Sequence, residues 1–113
     1  MSELHYLCAL NALPDPGSRG FSLELAGEVL NVVLVKLQGE VFAYRNRCPH
    51  TGVSLEWKAD QFLDLSDRYI QCATHGALFR PQDGFCLRGP CAGQQLQPLC
   101  LVIEAGQLYF EQY

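Results

Sequence analysis

Charged residues and histidines are scarce in this chain. Only 18% of its 113 residues are charged, 8 Lys and Arg against 12 Asp and Glu, and there are three histidines. The formal net charge of −4 argues against the phosphate backbone of a nucleic acid as the main partner, because that backbone binds clustered cations. Because histidines are so few, the position of each one is informative about a possible binding site.

A long apolar run is also missing. The longest such stretch, "VLNVVLVKL" at 29–37, is interrupted by Asn31 and Lys36 and is shorter than the roughly 20 residues that span a bilayer. The N-terminal segment "MSELHYLCALNAL" has no basic region, so we expect neither a secretory signal nor a membrane partner. With 49% hydrophobic residues, the chain is predicted to be one folded domain, 1–113, in the cytoplasm.

Six cysteines could form a disulfide framework, but disulfides persist mainly in oxidising compartments. Cys8 and Cys100 lie in strand-like runs, "YLCAL" and "PLCLVI", and are predicted to be plain core residues. Cys86 and Cys91 are predicted to be reduced structural thiols.

Short segments rich in Val, Leu, Phe and Tyr alternate with Gly, Pro, Asp and Asn, as is typical of a β protein. The predicted strands are 4–8, 21–26, 29–37, 41–46, 69–72, 77–80, 85–88, 96–104 and 107–112. Tight turns are predicted at 26–28, 38–40, 82–84 and 104–107. The best helix candidate is 53–64, although its pattern is ambiguous. The predicted fold class is all-β, a small antiparallel sandwich or barrel.

Two short motifs each combine a cysteine, a histidine and a glycine. "RCPHTG" at 47–52 contains Cys48 and His50, and "QCATHG" at 71–76 contains Cys72 and His75. Each follows a predicted strand and ends in a glycine that permits a sharp turn. Because strand ends distant in sequence can be neighbours in a sheet, the two loops are predicted to meet.

Two thiolates and two imidazoles could hold a structural zinc ion. Zinc loops, however, usually group cysteines together and histidines together, whereas each loop here supplies one of each. A mixed pair suits a binuclear iron–sulfur cluster, in which two cysteines bind one iron and two histidines bind the other.

C-x-H followed by C-x-x-H is the Rieske ligand pattern, and "CPHTG…CATHG" resembles the soluble Rieske ferredoxins. The segments "DGFCLRGP" (83–90) and "LQPLCLVIEAGQLYF" (96–110) are also similar to that family, so the resemblance covers most of 30–112. It implies a Rieske-like fold whose cluster-binding part, about 46–92, carries two ligand loops and one 2Fe–2S cluster. Cys48 and Cys72 would hold the buried iron, and His50 and His75 the outer iron. The residues implied around the cluster or covering it are Thr51, Gly52, Gly76, Ala77, Phe79, Gly89 and Pro90.

The resemblance also bears on the reduction potential. Two ferric ions, two sulfides and two thiolates carry no net charge, which favours reduction; Rieske centres span about −150 to +300 mV against about −400 mV for plant-type clusters. The high-potential members of the family carry a serine and a tyrosine where this chain has Ala77 and Phe79, and a disulfide where it has Val53 and Thr74. We therefore expect a potential near the bottom of the range.

The resemblance implies an electron carrier rather than an enzyme. As a free monomer, it would pass one electron from a reductase to an oxygenase or another oxidoreductase. One alternative is a permanent small subunit of a larger oxidoreductase, such as that of nitrite reductase, and another is a zinc-stabilised binding module. Four arginines near the loops indicate either a basic docking rim or a solvated polar face: Arg45, Arg47, Arg80 and Arg88.

Overall fold

The computed structural model describes residues 3–49, 55, 60–72, 76–89, 91 and 93–112. These residues form nine β-strands and a 3₁₀ helix at Leu10–Ala12. The strands are β1 (Glu3–Ala9), β2 (Gly17–Leu25), β3 (Glu28–Leu37), β4 (Glu40–Arg45), β5 (Ile70–Gln71), β6 (Leu78–Phe79), β7 (Cys86–Arg88), β8 (Leu101–Glu104) and β9 (Gln107–Gln112). Each lies at or beside a predicted strand.

Three antiparallel sheets of three strands each organise the fold. Their strand orders are β1-β9-β8, β2-β3-β4 and β5-β6-β7. The prediction of an antiparallel all-β fold is therefore confirmed. No helix in the described part of the chain is long and apolar enough to cross a membrane.

Three of the predicted tight turns close hairpins through two residues with positive φ. The pairs are Ala26–Gly27 (50° and 85°), Gln38–Gly39 (50° and 81°) and Ala105–Gly106 (50° and 74°). Positive φ at both central residues matches the right-handed twist of the flanking strands, which explains why each turn has a glycine at its second position.

Strand β3 separates two hydrophobic clusters, because its side chains alternate between its faces. Val33 and Val35 point into the first cluster, and Val32 and Leu34 into the second. All four are fully buried. The second cluster packs β3 against the β1-β9-β8 sheet. The first connects β3 to the β5-β6-β7 sheet and contains four of the six cysteines: Cys48, Cys72, Cys86 and Cys91.

Two secondary-structure predictions need correction. The helix candidate 53–64 is not helical over 60–64, where Leu63 instead forms an isolated bridge with Ile70, and 53, 54 and 56–59 lie outside the described residues. The strand predicted at 96–104 begins only at Leu101. Pro98 lies in the earlier part, makes a single bridge with Tyr44 and has no N–H group to extend a ladder.

The two cysteines predicted to be core residues behave differently. Cys8 is buried, with 6% of its surface exposed, as predicted. Cys100 is exposed, so the prediction for it is wrong. It precedes β8, and its backbone carbonyl accepts a hydrogen bond from the Glu111 N–H.

Candidate metal centre

Two of the four predicted ligands lie in one buried cluster. Cys48 follows β4 and Cys72 follows β5; both are thiols, with 2% and 1% of their surface exposed. Both belong to the first hydrophobic cluster. Both motif cysteines are therefore buried in the same part of the core, while the meeting of the two loops stays a prediction, because 50–52 and 73–75 lie outside the described residues. His50 and His75 lie outside the described residues, as do Thr51, Gly52, Val53, Thr74 and Pro90.

The backbone before Cys48 is held from two directions. The Asn46 N–H donates to the carbonyl of Asn31 on β3 (2.8 Å), and the Asn46 side-chain oxygen accepts from the Leu55 N–H (2.7 Å). Leu55 is fully buried and follows the first motif in sequence. One asparagine thus fixes both ends of the segment that carries the first cysteine and histidine.

The second loop closes on itself. The Cys72 N–H donates to the carbonyl of Ala77 (2.9 Å), and the Gly76 N–H donates to the carbonyl of Cys72 (3.0 Å). Gly76 has a φ of 64°, a conformation that glycine adopts without strain. The prediction that this glycine permits a sharp turn is confirmed.

A third segment, 86–91, lies against the second loop. β7 pairs with β6, and Gly89 directly after β7 comes so close to Ala77 that a Cβ on the glycine would lie 2.9 Å from the Ala77 Cα atom. Ala77 and Phe79 are buried, at 2% and 0% exposure. The segment containing Gly89 therefore lies directly against Ala77, at the start of the chain that leads into β6.

Cys86 and Cys91 form a disulfide, so the prediction that they are reduced thiols is wrong. Their Cα atoms are 6.0 Å apart, within the usual range for a disulfide. After Cys91 the chain turns back so that Gln94 lies beside Cys86. The Cys86 N–H donates a hydrogen bond to the Gln94 carbonyl, and the Gln94 N–H donates one to the Cys91 carbonyl. Both cysteines are buried, at 1% and 0% exposure, and the bond fixes the segment 86–91 at both ends.

Polar contacts attach the neighbouring turn, 80–85, to β4. The Tyr44 hydroxyl donates to the carbonyl of Pro81, and burial, assisted by the charge of Asp83, raises the pKa of Tyr44 to about 12. Arg80 binds the Asp83 carboxylate through two hydrogen bonds, of 3.0 and 2.6 Å, which lower the pKa of Asp83 to about 2. Arg80 is therefore already paired within the chain, and of the two alternatives for the four arginines it fits the solvated polar face rather than the basic rim.

A shallow pocket of about 240 Å³ opens beside the first ligand loop. It is lined by Arg45, Arg47, Pro49, Gln95 and Gln97. The arginines stand out in the sequence because they flank the motif, but the two glutamines come from a distant segment. Sequence reasoning missed their contribution because nothing local brings 95–97 to 45–49.

The described donors fit a 2Fe–2S cluster. Two buried thiols among apolar neighbours suit the inner iron, because thiolates are the protein ligands of such clusters and shielding from water tunes their potential. The described residues contain no group of three metal-binding side chains. His50 and His75 lie outside the described residues, so the two imidazole ligands are proposed from the sequence alone.

Comparison with known proteins identifies a family that binds the same kind of cluster. The family model of the Rieske [2Fe-2S] domain matches residues 4–104. The 3-phenylpropionate/cinnamic acid dioxygenase ferredoxin subunit of Photorhabdus laumondii is 29% identical over 109 residues, covering 96% of this chain and 93% of that protein.

Solved structures share the fold. The ferredoxin of Sphingomonas yanoikuyae is 23% identical, with a TM-score of 0.74, and 98% of this chain and 100% of that one are covered. A Mycobacterium tuberculosis protein, assigned to the small subunit of an NADH-dependent nitrite reductase, is also 23% identical. Its TM-score is 0.70, with 100% of this chain and 97% of that one covered. At these identities the likeness concerns the fold alone.

Proposed function

Because this chain belongs to the Rieske [2Fe-2S] domain family, we propose that it is a one-electron carrier between a reductase and an oxygenase or another oxidoreductase. Its cofactor is one 2Fe–2S cluster, which when bound accepts and releases a single electron. The chain's own residues hold that cluster, shield it from water and present it to other proteins. The observation that carries the proposal is the burial of the Cys48 and Cys72 thiols, which belong to two motifs of matching sequence, in one hydrophobic cluster.

We assign the ligands as Cys48 and Cys72 on the inner iron and His50 and His75 on the outer one. The second loop is flanked by Ala77, Phe79 and Gly89. The proposed surroundings of the cluster also include Thr51, Gly52, Gly76 and Pro90. Neither Ala77 nor Phe79 can donate a side-chain hydrogen bond to a cluster sulfur. This composition supports a potential near the bottom of the Rieske range, because hydrogen bonds to the sulfurs raise it.

The partner class follows from the similarity to the Photorhabdus laumondii protein. That relative is the ferredoxin subunit of a dioxygenase, and it matches nearly the full length of this chain. We therefore propose an oxygenase as the electron acceptor and a reductase as the donor. The carrier is a single domain, 1–113, with its cluster-binding part at about 46–92, and works in the cytoplasm. Burial of Cys86 and Cys91 would limit the access of cytoplasmic reductants to their disulfide.

A permanent subunit of a larger oxidoreductase is the second candidate. It is supported by the similar fold of the nitrite reductase small subunit and by exposed apolar side chains, above all Leu65, which is 99% exposed. A permanent subunit exposes apolar surface when isolated and self-associates. Sedimentation of the purified holoprotein distinguishes the two: a monomer supports the carrier, and concentration-dependent association supports the subunit.

Metal analysis tests the cofactor and its ligands together. The anaerobically purified protein should contain about two iron atoms and two acid-labile sulfides per chain. Cys48→Ser should lose the cluster and its visible absorbance, whereas Cys8→Ser, which alters a buried thiol in the other hydrophobic cluster, should retain both. One zinc ion per chain and no sulfide would overturn the electron-carrier proposal in favour of the zinc module.

A further inference from the structure

The pocket beside the first ligand loop is a basic site on an acidic protein. Arg45 and Arg47 line it together with Pro49, the residue directly after Cys48. Gln95 and Gln97 complete the lining and are both exposed. The pocket thus concentrates two positive charges and two amide groups at the edge of the proposed metal centre, in a chain whose formal net charge is −4.

The two arginines differ in their surroundings from Arg80, Lys36 and Arg19. The ion pairs found among the described residues are His5–Glu3 and Arg80–Asp83, so neither pocket arginine has a carboxylate partner in that part of the chain. By contrast, the Lys36 ammonium group donates to the carbonyls of Leu10 and Leu13. Arg19 lies over the ring of Phe21. The guanidinium groups of the pocket are therefore available to a ligand from outside the described residues.

The backbone of the pocket is fixed in advance. The Arg45 N–H donates to the carbonyl of Gln97 (3.0 Å), and the Arg47 N–H donates to the carbonyl of Arg45 (2.8 Å). Between the two glutamines, Leu96 is fully buried and its N–H donates to the carbonyl of Gly84 (2.8 Å). A rigid backbone reduces the entropy lost when the side chains bind a ligand.

We propose that this pocket receives acidic side chains, Asp or Glu, of the protein that exchanges electrons with this chain. The proposal rests on the proposed function and adds the chemistry of the partner surface. Guanidinium groups bind carboxylates through paired hydrogen bonds, which orient as well as attract. A basic pocket beside the ligand loop would direct an acidic surface to the metal centre, while the negative charge elsewhere would disfavour other orientations.

Small redox reagents of opposite charge test the local field without a protein partner. We would reduce the holoprotein and measure its one-electron oxidation by ferricyanide, an anion, and by tris(1,10-phenanthroline)cobalt(III), a cation. In Arg45→Gln/Arg47→Gln, the rate constant with ferricyanide should fall roughly tenfold at low salt, and the rate constant with the cobalt complex should rise. The control Arg19→Gln/Arg68→Gln removes the same charge from outside the pocket and should change each rate constant less than twofold.

Protection against chemical modification provides a readout that does not use electron transfer. Phenylglyoxal modifies accessible arginines, and tetraglutamate is the acidic probe; modified residues are located by mass spectrometry. Tetraglutamate should slow modification of Arg45 and Arg47 by at least threefold and leave Arg19 and Arg68 unchanged. Equal protection at all four arginines, or protection at none, would overturn the docking proposal, as would equal oxidation rates in the two double variants.

The two proposals fail in different ways. A protein that contains no iron or sulfide would overturn the proposed function, and arginine protection would still report whether the pocket binds carboxylates. A protein with an intact cluster and unaltered oxidation rates would overturn the docking proposal alone.

Discussion

A Cβ atom on Gly89 would lie 2.9 Å from the Cα atom of Ala77. The segment after β7 therefore rests on the backbone that follows the second ligand loop, with no room for a side chain between them. Because real Cβ atoms do not approach backbone so closely, glycine is required at this position for the segment to stay in place.

The first prediction separates this close approach from backbone strain. Gly89→Ala and Gly93→Ala both place a side chain at positive φ (107° and 92°), but nothing lies within 4 Å of a Cβ at Gly93. Gly89→Ala should lower the free energy of unfolding by about 1–3 kcal/mol more than Gly93→Ala, because only it overpacks its surroundings. Denaturant unfolding followed by circular dichroism measures this difference. Equal losses in the two variants would show that the contact with Ala77 has no energetic role.

The second prediction concerns the Cys86–Cys91 disulfide. Cys86→Ala/Cys91→Ala should lower the free energy of unfolding by about 2 kcal/mol, because the cross-link restricts the unfolded chain over a short loop. Cys8→Ala is the control that removes a buried sulfur and no cross-link. Thiol titration of the denatured, metal-free wild type without reductant should detect four of the six cysteines. Six reactive thiols would contradict the disulfide.

The third prediction concerns the reduction potential. Ala77→Ser adds a hydroxyl beside the second ligand loop, where it can donate to a cluster sulfur. One hydrogen bond worth about 1 kcal/mol corresponds to a rise of about 40 mV for a one-electron couple. Protein-film voltammetry measures the shift. Ala43→Ser is a matched control, since Ala43 is also buried but lies in the other hydrophobic cluster. The reduction potential of the Ala43→Ser protein should equal that of the wild type.

The fourth prediction uses Tyr44, whose pKa is raised to about 12 by burial and by the charge of Asp83. A raised pKa in the folded state means that the folded protein holds the phenolic proton of Tyr44 more tightly than the unfolded chain does. In the unfolded chain a tyrosine has a pKa of about 10. The stabilisation is fully present below about pH 10 and is lost as the pH rises toward about 12, in total on the order of 3 kcal/mol. Parallel denaturant titrations of wild type and Tyr44→Phe measure it. If both proteins lose stability equally over that window, Tyr44 is not the group responsible.

The sequence predicts the local parts of this structure well. The hairpins at Ala26–Gly27, Gln38–Gly39 and Ala105–Gly106 depend on adjacent residues, and alternating apolar side chains define the strands that they join. Cys48 and Cys72 each follow a strand, as the sequence predicts, and both are buried in one hydrophobic cluster. These inferences need only neighbouring residues and one general rule about strand ends.

The features missed in the sequence depend on contacts that no local pattern specifies. Cys86 and Cys91 bond because the chain folds back through Gln94, which no spacing rule indicates. The segment 60–64 is not helical because its groups have partners elsewhere: the Asp60 side chain accepts from the Gly20 N–H on β2 (2.8 Å), and Leu63 bridges to Ile70. Tertiary contacts of this kind override a weak local preference.

The three sheets are very unequal in length, and this has a consequence for the order of assembly. β2, β3 and β4 have 9, 10 and 6 residues, whereas β5, β6 and β7 have 2, 2 and 3. So few ladder hydrogen bonds give the third sheet little support of its own, and metal ligation by the proposed ligand Cys72 beside β5 would add to it. The chain would therefore mature in two stages, in which the long hairpins form a scaffold before metal insertion and iron–sulfur loading completes the smaller sheet. Amide hydrogen exchange would then show slow exchange in β2–β4 of the apoprotein and protection of β5–β7 only after loading.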